Sequence, residues 1–352
     1  MQRCLQLAAQ GAGMVSPNPM VGAVLVCEGR IIGEGYHQQY GEAHAEVNCI
    51  NSVIEADKNL ITKSTLYVSL EPCVHFGKTP PCTSLIIENK IANVVIGCRD
   101  IFAEVNARLN DAVGQGKGIE KLKAAGIHVT VNVLEKECIE LNKRFFTFHE
   151  KQRPYIILKW AQSSDDKISV PGSKRIFISN EFTNRLVHKW RSEEASILVG
   201  TNTALLDDPA LTTRLWPGRN PIRLVIDKKL KLPGYLKLFD GSVKTIVFTY
   251  VDKEVNEFLS YHQLNKDENM LSQILAALYE QQIQSVMVEG GAKLLQSFID
   301  EELWDEARII TNEQLTISNG LAAPVLKNDI LLSEQKIKND TISFIKKRTI
   351  NE

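Results

Sequence analysis

A histidine and a glutamate in one short run, His44-Ala45-Glu46, precede Pro72-Cys73 and then Cys82. One imidazole and two thiolates can hold a tetrahedral zinc ion and leave its fourth position for water. Zinc lowers the pKa of such a water to about 7, and a carboxylate near the metal but not bound to it can carry the protons of a hydrolytic displacement. His44, Cys73 and Cys82 are therefore the candidate metal ligands, and Glu46 is the candidate catalytic proton carrier. The chemistry that suits them is attack of water on a ring carbon bearing an amino group, with loss of ammonia. The alternative is a structural zinc knot. That would need a fourth protein donor, for which His75 is the candidate, and it would leave Glu46 without a task.

Zinc deaminases carry an H-x-E…P-C-x-x-C signature. Here the segment Val74-His75-Phe76-Gly77-Lys78-Thr79-Pro80-Pro81 separates the two cysteines instead of two residues. That segment resembles the Pro-Cys-x3-Gly-[Lys/Arg]-Thr-Pro-Pro-Cys run of the bifunctional riboflavin-biosynthesis deaminase–reductases. Asn18-Pro19-Met20-Val21-Gly22 is similar to the same family's Asn-Pro-x-Val-Gly loop. The resemblance implies that Asn18, His75, Lys78 and Asp100 touch the deaminase substrate, with Arg108 as a phosphate ligand. An asparagine amide can read a pyrimidine edge with both a donor and an acceptor. After Asp100 the chain reads Ile101-Phe102 where the family commonly has Pro-Asn, and Ala107-Arg108-Leu109 where Gly-Arg-Gly is common.

The second half has no G-x-G-x-x-G dinucleotide fingerprint. The resemblance continues through Leu158-Lys159-Trp160-Ala161-Gln162-Ser163-Ser164-Asp165, Ile197 to Thr203, Leu206 to Arg214, Pro221 to Asp227 and Val288-Glu289-Gly290-Gly291. It implies a dihydrofolate-reductase-like fold that uses NADPH. Carried over by position, Ala161, Phe177, Thr203, Asp207 and Gly291 lie on the cofactor side, and Arg191, Leu211, Arg214 and Glu289 on the substrate side. Asp166 replaces a usual glycine, and Arg175 stands where a small polar residue is common. Independently, Gly290-Gly291 between a strand and a helix can present bare N–H groups to a phosphate. By spacing alone, Arg191 would form a surface ion pair with Glu194. The activity implied is zinc-dependent deamination of 2,5-diamino-6-ribosylamino-4(3H)-pyrimidinone 5′-phosphate, then NADPH-dependent reduction of the ribosyl side chain to ribityl. The rivals are a deaminase with a degenerate reductase-like half, a nucleoside or nucleic-acid deaminase, and a non-catalytic zinc module.

Placing these residues requires strands that alternate with helices, an α/β pattern. Strands are expected at Val21–Val26 and Arg30–Gly35 about a Glu28-Gly29 turn, and at Thr65–Leu70, Val94–Gly97 and His128–Val133, with helices at Ala43–Ala56, Cys82–Asn89 and Ile119–Ala125. In the second half the strands fall at Tyr155–Trp160, Ser196–Gly200, Ile222–Ile226, Thr245–Thr249, Ser285–Glu289 and Ala307–Ile310. The helices fall at Asn180–Ser192, Asn269–Gln281 and Ala292–Glu301. The seam lies near Phe148–Pro154. The expected architecture is a cytidine-deaminase-like three-layer α/β/α domain over 1–147, followed by a dihydrofolate-reductase-like α/β domain over 148–352.

The 352 residues suit two domains. With 41 Lys and Arg against 42 Asp and Glu, no basic excess points to a nucleic-acid partner. No stretch approaches the roughly 20 apolar residues of a membrane span, and the N-terminus lacks the apolar core of a signal peptide. A cytoplasmic homo-oligomer acting on a small molecule is expected. The seven cysteines are odd in number and irregularly spaced, which argues against a disulfide framework. Cys4, Cys27, Cys49, Cys98 and Cys138 are expected to be buried small hydrophobes.

Overall fold

The computed structural model describes residues 1–74, 76, 80–100, 118–170, 176–253 and 258–348. The chain forms two compact units, Met1–Gln152 and Arg153–Glu352.

The first unit is built on a five-stranded sheet in the order β2-β1-β3-β4-β5. Its strands are β1 (Gly22–Cys27), β2 (Arg30–Tyr36), β3 (Thr65–Leu70), β4 (Asn93–Cys98) and β5 (His128–Thr130). β1 is antiparallel to β2 and β3, whereas β3, β4 and β5 run parallel. Glu28 and Gly29 both take positive φ, the backbone of a two-residue hairpin turn. The helices are α1 (Gln2–Ala8), α2 (Ala45–Asn51), α3 (Cys82–Glu88), α4 (Gly118–Ala124), α5 (Glu135–Leu141) and α6 (Lys143–Lys151). A Cβ on Gly35 would stand 2.3 Å from the Cys49 nitrogen, so this glycine lets α2 lie directly on β2. That contact fixes the start of α2, where His44 and Glu46 sit.

One expectation needs correction here. The helix anticipated over 43–56 stops at Asn51, and a 3-10 segment, Glu55–Lys63, follows. The Ser52 hydroxyl ends it by donating to the Cys49 carbonyl at 2.7 Å and accepting the Glu34 N–H at 2.8 Å. Helix α6 runs past residue 147 to Lys151, burying Phe145, Phe146 and Phe148. It ends at Gln152 in a left-handed conformation two residues before Pro154. The units divide between Gln152 and Arg153.

The second unit carries a nine-stranded sheet, β11-β10-β9-β8-β12-β6-β13-β16-β15. The strands are β6 (Tyr155–Ser163), β8 (Ser196–Gly200), β9 (Ile222–Ile226), β10 (Thr245–Thr249), β11 (Leu259–Gln263), β12 (Ser285–Val288), β13 (Glu306–Asn312), β15 (Asp329–Ile337) and β16 (Asp340–Lys347). From β11 through β13 every neighbouring pair is parallel; β16 and β15 close the sheet antiparallel. Two short strands, β7 (Lys167–Ser169) and β14 (Leu321–Ala322), pair separately. The helices are α7 (Glu181–Glu193), α8 (Thr201–Asp207), α9 (Met270–Glu280) and α10 (Ala292–Asp300). Apolar residues fill both faces of the sheet, one around Phe248, Phe298 and Trp304 and the other around Ile157, Val199 and Trp190. A sheet covered on both faces suits its near-continuous hydrophobic strands. Asn180 caps α7 by accepting the Phe182 and Thr183 N–H groups.

Candidate active sites

In the first unit, His44 is the N-cap of α2 and Glu46 lies in its first turn. Cys73 follows β3, and Cys82 opens α3. The donor atoms of His44, Cys73 and Cys82 lie within 4.8 Å of one another. His44 Nδ1 stands 3.6 Å from Cys73 Sγ and 3.3 Å from Cys82 Sγ. A tetrahedral zinc with ordinary Zn–N and Zn–S lengths separates nitrogen and sulfur by roughly 3.6 Å, so the trio fits the ion. Among the described residues no other group of histidine, cysteine or carboxylate atoms converges this way. The Cys73 thiol is drawn below its ordinary range, first by hydrogen bonding with Cys82 and then, against burial, by His44 and the Cys82 N–H. A thiol so placed readily becomes the thiolate that metals bind.

Glu46 is 3% exposed and is not one of the converging donors. Burial first, then the Cys73 charge, raises its carboxyl pKa. A carboxyl poised to hold a proton is what a proton carrier requires.

His37, which no motif flagged, joins this site. Its ring packs edge-on to His44 with centroids 5.4 Å apart. His37 Nδ1 is 3.0 Å from the Ala43 carbonyl, which can only accept, so that nitrogen carries the proton. Burial lowers the His37 pKa and favours the neutral ring. The bare Nε2 then accepts from Asn18 Nδ2 at 3.1 Å. The Asn18 amide is thereby oriented, with its Oδ1 turned away from the ring. Asp100 follows β4, and its N–H donates to buried Glu71 at 3.3 Å. His75, Lys78, Arg108 and Arg175 lie outside the described residues. The five remaining cysteines are free and buried, as expected.

In the second unit, Ala161, Thr203 and Gly291 gather at the carboxyl edge of the parallel strands. Ala161 lies near the end of β6, Thr203 in the first turn of α8 after β8, and Gly291 between β12 and α10. A Cβ on Gly291 would come 3.2 Å from Thr203 Oγ1, so the glycine keeps that space open. Gly291 caps α10 with no side-chain hydrogen bond, leaving the first N–H groups of the helix available. These features fit a phosphate-bearing cofactor. Asp207 ends α8, and Phe177 is exposed.

The Arg191–Glu194 pair that spacing alone offers does not form. Arg191 instead makes a two-pronged salt bridge to Glu289, Nε to Oε1 at 2.9 Å and Nη2 to Oε2 at 2.7 Å. Its Nη1 reaches the Thr212 carbonyl at 3.3 Å. Glu194 faces Arg308 at 3.7 Å. Lys159, on β6, comes within 3.9 Å of Glu289. Burial alone would raise the Glu289 pKa; the Arg191 charge and then Lys159 outweigh it and hold it at about 2. Buried His188, one turn before Arg191, is held at about 4 by burial and then by the Arg191 and Arg214 charges. Leu211 takes a φ of 50° with its side chain in the core, so it can face a ligand only through its backbone. Arg214 is exposed on the following loop.

A zinc-type deaminase unit followed by a dinucleotide-type reductase unit defines a two-domain deaminase–reductase. Residues 1–98 match the cytidine and deoxycytidylate deaminase zinc-binding region, and residues 154–313 match the RibD C-terminal domain. The riboflavin biosynthesis protein RibD of Aquifex aeolicus is 38% identical over 99% of this chain and 97% of its own length. That of Escherichia coli is 33% identical over 87% and 84%. A crystal structure of a diaminohydroxyphosphoribosylaminopyrimidine deaminase/5-amino-6-(5-phosphoribosylamino)uracil reductase from Thermotoga maritima superposes with a TM-score of 0.87, at 36% identity and over 99% of this chain and 97% of that one. The chain belongs to the family of bifunctional riboflavin-biosynthesis deaminase–reductases. Its first unit is a zinc-dependent deaminase and its second an NADPH-dependent reductase. Among the described residues no helix is long and apolar enough to cross a membrane.

Proposed function

We propose that the first unit deaminates 2,5-diamino-6-ribosylamino-4(3H)-pyrimidinone 5′-phosphate through His44, Cys73, Cys82 and Glu46, and that the second reduces the ribosyl chain of the product. The convergence of three donor atoms within 4.8 Å beside a buried carboxylate outside that set supports the first assignment. Zinc held there supplies a Lewis acid and a water that ionises near neutral pH. Glu46 accepts a proton at its carboxylate, hands it to the ring nitrogen, and then serves the departing amino group as it leaves as ammonia. Asn18, oriented by His37, reads the pyrimidine edge through Oδ1. His75, Lys78 and Asp100 complete the substrate contacts.

In the second unit, Ala161, Phe177, Thr203, Asp207 and Gly291 hold NADPH, which supplies hydride for the ribosyl C1′. The Arg191–Glu289 pair and Lys159 form one charged wall of the substrate pocket, and Arg214 and the Leu211 backbone line the rest. Arg191 is already neutralised by Glu289, so Arg214 is assigned the larger share of the substrate phosphate. The same proposal takes the enzyme to be a cytoplasmic homo-oligomer without a nucleic-acid partner; light scattering reports its assembly state.

Metal removal tests the division of labour. Dialysis against a chelator is expected to abolish ammonia release, and added zinc to restore it with one ion per chain by elemental analysis. NADPH oxidation on the deaminated intermediate should persist throughout. Loss of both activities in parallel would contradict separate sites. A second test is Gly291→Ala, whose methyl would enter the space beside Thr203. It is expected to weaken NADPH binding, read by fluorescence, by about tenfold, consistent with a misfit of roughly 1–2 kcal/mol. Unchanged affinity would remove Gly291 from the cofactor site.

A further inference from the structure

The loop that presents Asn18 is held from the other end of the first unit's sequence. Met20, which follows Asn18-Pro19, donates its N–H to Asn142 Oδ1 at 2.8 Å, and its carbonyl accepts from Asn142 Nδ2 at 2.9 Å. One side-chain amide thus takes both backbone polar groups of one residue, as a paired strand would, across 122 positions of chain. Asn142 is buried and stands between α5 and α6. An asparagine just before a helix ordinarily spends its side chain as the N-cap, yet Asn142 makes no side-chain cap bond to α6. Its amide is committed to Met20 instead.

The same two helices underlie the rest of the deaminase site. Cys138 of α5 and Phe145 and Phe146 of α6 pack with Leu70 and Cys98, and Val21 packs against them. Leu70 ends β3 just before Glu71-Pro72-Cys73, Cys98 ends β4 just before Arg99-Asp100, and Val21 follows Met20. Segments that carry a metal ligand and two assigned substrate residues therefore lie on one apolar cluster. Apolar packing is non-directional, so it places these segments without fixing the rotation of a peptide plane. The two Asn142 bonds fix it at Met20. On either side, the Asn18 N–H donates to the Val15 carbonyl at 2.9 Å and the Gly22 N–H to Ser69 Oγ at 3.0 Å. Asn142 and both helices lie beyond residues 1–98, which match the deaminase zinc-binding region. That suits a part serving the particular substrate and not the zinc chemistry.

We propose that Asn142 is a positioning residue of the deaminase: by fixing the Met20 peptide groups it sets the place of the Asn18 amide, and with it recognition of the pyrimidine edge. This rests on the assignment of Asn18 as the residue that reads that edge. Asn142 acts through the loop, so its effect falls on substrate binding, while zinc stays with His44, Cys73 and Cys82.

The test is a double-mutant cycle on the zinc-loaded full-length enzyme, read by ammonia release from the diaminopyrimidinone phosphate. Asn18→Ala and Asn142→Ala are each expected to raise KM about tenfold, with kcat within about threefold and zinc retained at one ion per chain. Combined, they should also raise KM about tenfold, because the second change removes nothing that the first has not already lost. NADPH oxidation on the deaminated intermediate should stay at the wild-type rate. If Asn142→Ala loses its zinc, Asn142→Asp carries the cycle: it keeps the volume and the acceptor for the Met20 N–H but loses the donor to the Met20 carbonyl. Losses that multiply, to about a hundredfold in the double variant, would show that Asn142 serves the protein independently of Asn18 and overturn the proposal. Unchanged KM in a zinc-loaded Asn142 variant, with KM raised in Asn18→Ala, overturns the Asn142 assignment alone. Unchanged KM in Asn18→Ala removes Asn18 as the reader, and the positioning role falls with it.

Discussion

Glu46→Gln is expected to keep zinc at one ion per chain and to release ammonia at least a thousandfold more slowly, within the range attributed to general acid–base catalysis. The substitution preserves volume and one oxygen acceptor but cannot accept and return a proton. Glu46 is not among the three converging donors, so its loss should leave metal affinity nearly unchanged. KM for the pyrimidine should change little, because the group acts on the proton in flight and not on the bound ring. NADPH oxidation on the deaminated intermediate should be unaffected, since it depends on the second unit. The measurement is a parallel assay of ammonia, zinc content and NADPH consumption on one preparation. Retained ammonia release would return Glu46 to a structural role. Loss of zinc together with turnover would make it a ligand, and the open coordination position would no longer hold.

The contrast between the two units shows where sequence carries chemistry. The deaminase donors were legible because each sits next to a local landmark. His44 caps one helix and Cys82 opens another, and helix N-termini favour thiolates and anions. The Glu28-Gly29 hairpin was legible because its turn is made by two adjacent residues. His37 was not, because its value comes from a carbonyl at Ala43 and an amide at Asn18 that only the folded chain brings to its two nitrogens. The Arg191–Glu289 bridge was hidden for the same reason. Helical spacing offers Glu194 as the nearest partner of Arg191, yet the side chain crosses to Glu289 at the end of β12. The β15–β16 hairpin escaped notice because β15 is exposed along most of its length, so no apolar alternation marks it. Local signals found most parallel strands and their helices; pairings between distant segments required the fold.

Glu289→Gln puts the largest stability effect on such a pairing. The Glu289 carboxyl is lowered from an ordinary 4.5 to about 2. A depressed carboxyl contributes stability that is complete above its unfolded pKa and is lost as pH falls toward its folded one. The window is therefore pH 4.5 down to 2, and the linkage is worth about 3 kcal/mol. That agrees with the roughly 3–5 kcal/mol cost of leaving one member of a buried ion pair without its partner. The four tryptophans, Trp160, Trp190, Trp216 and Trp304, all lie in the second unit, so their fluorescence follows its unfolding directly. At pH 7 the variant should unfold at lower urea than the wild type, with a gap of about 3 kcal/mol. The gap should narrow between pH 4.5 and 2, because acid neutralises the wild-type carboxylate that the variant never had. NADPH oxidation should fall in the variant, while ammonia release at pH 7 stays at the wild-type level. Equal urea midpoints at pH 7, or a gap that persists unchanged in acid, would mean that the Arg191–Glu289 bridge does not carry the second unit, and the charged wall assigned to the reductase pocket would lose its anchor.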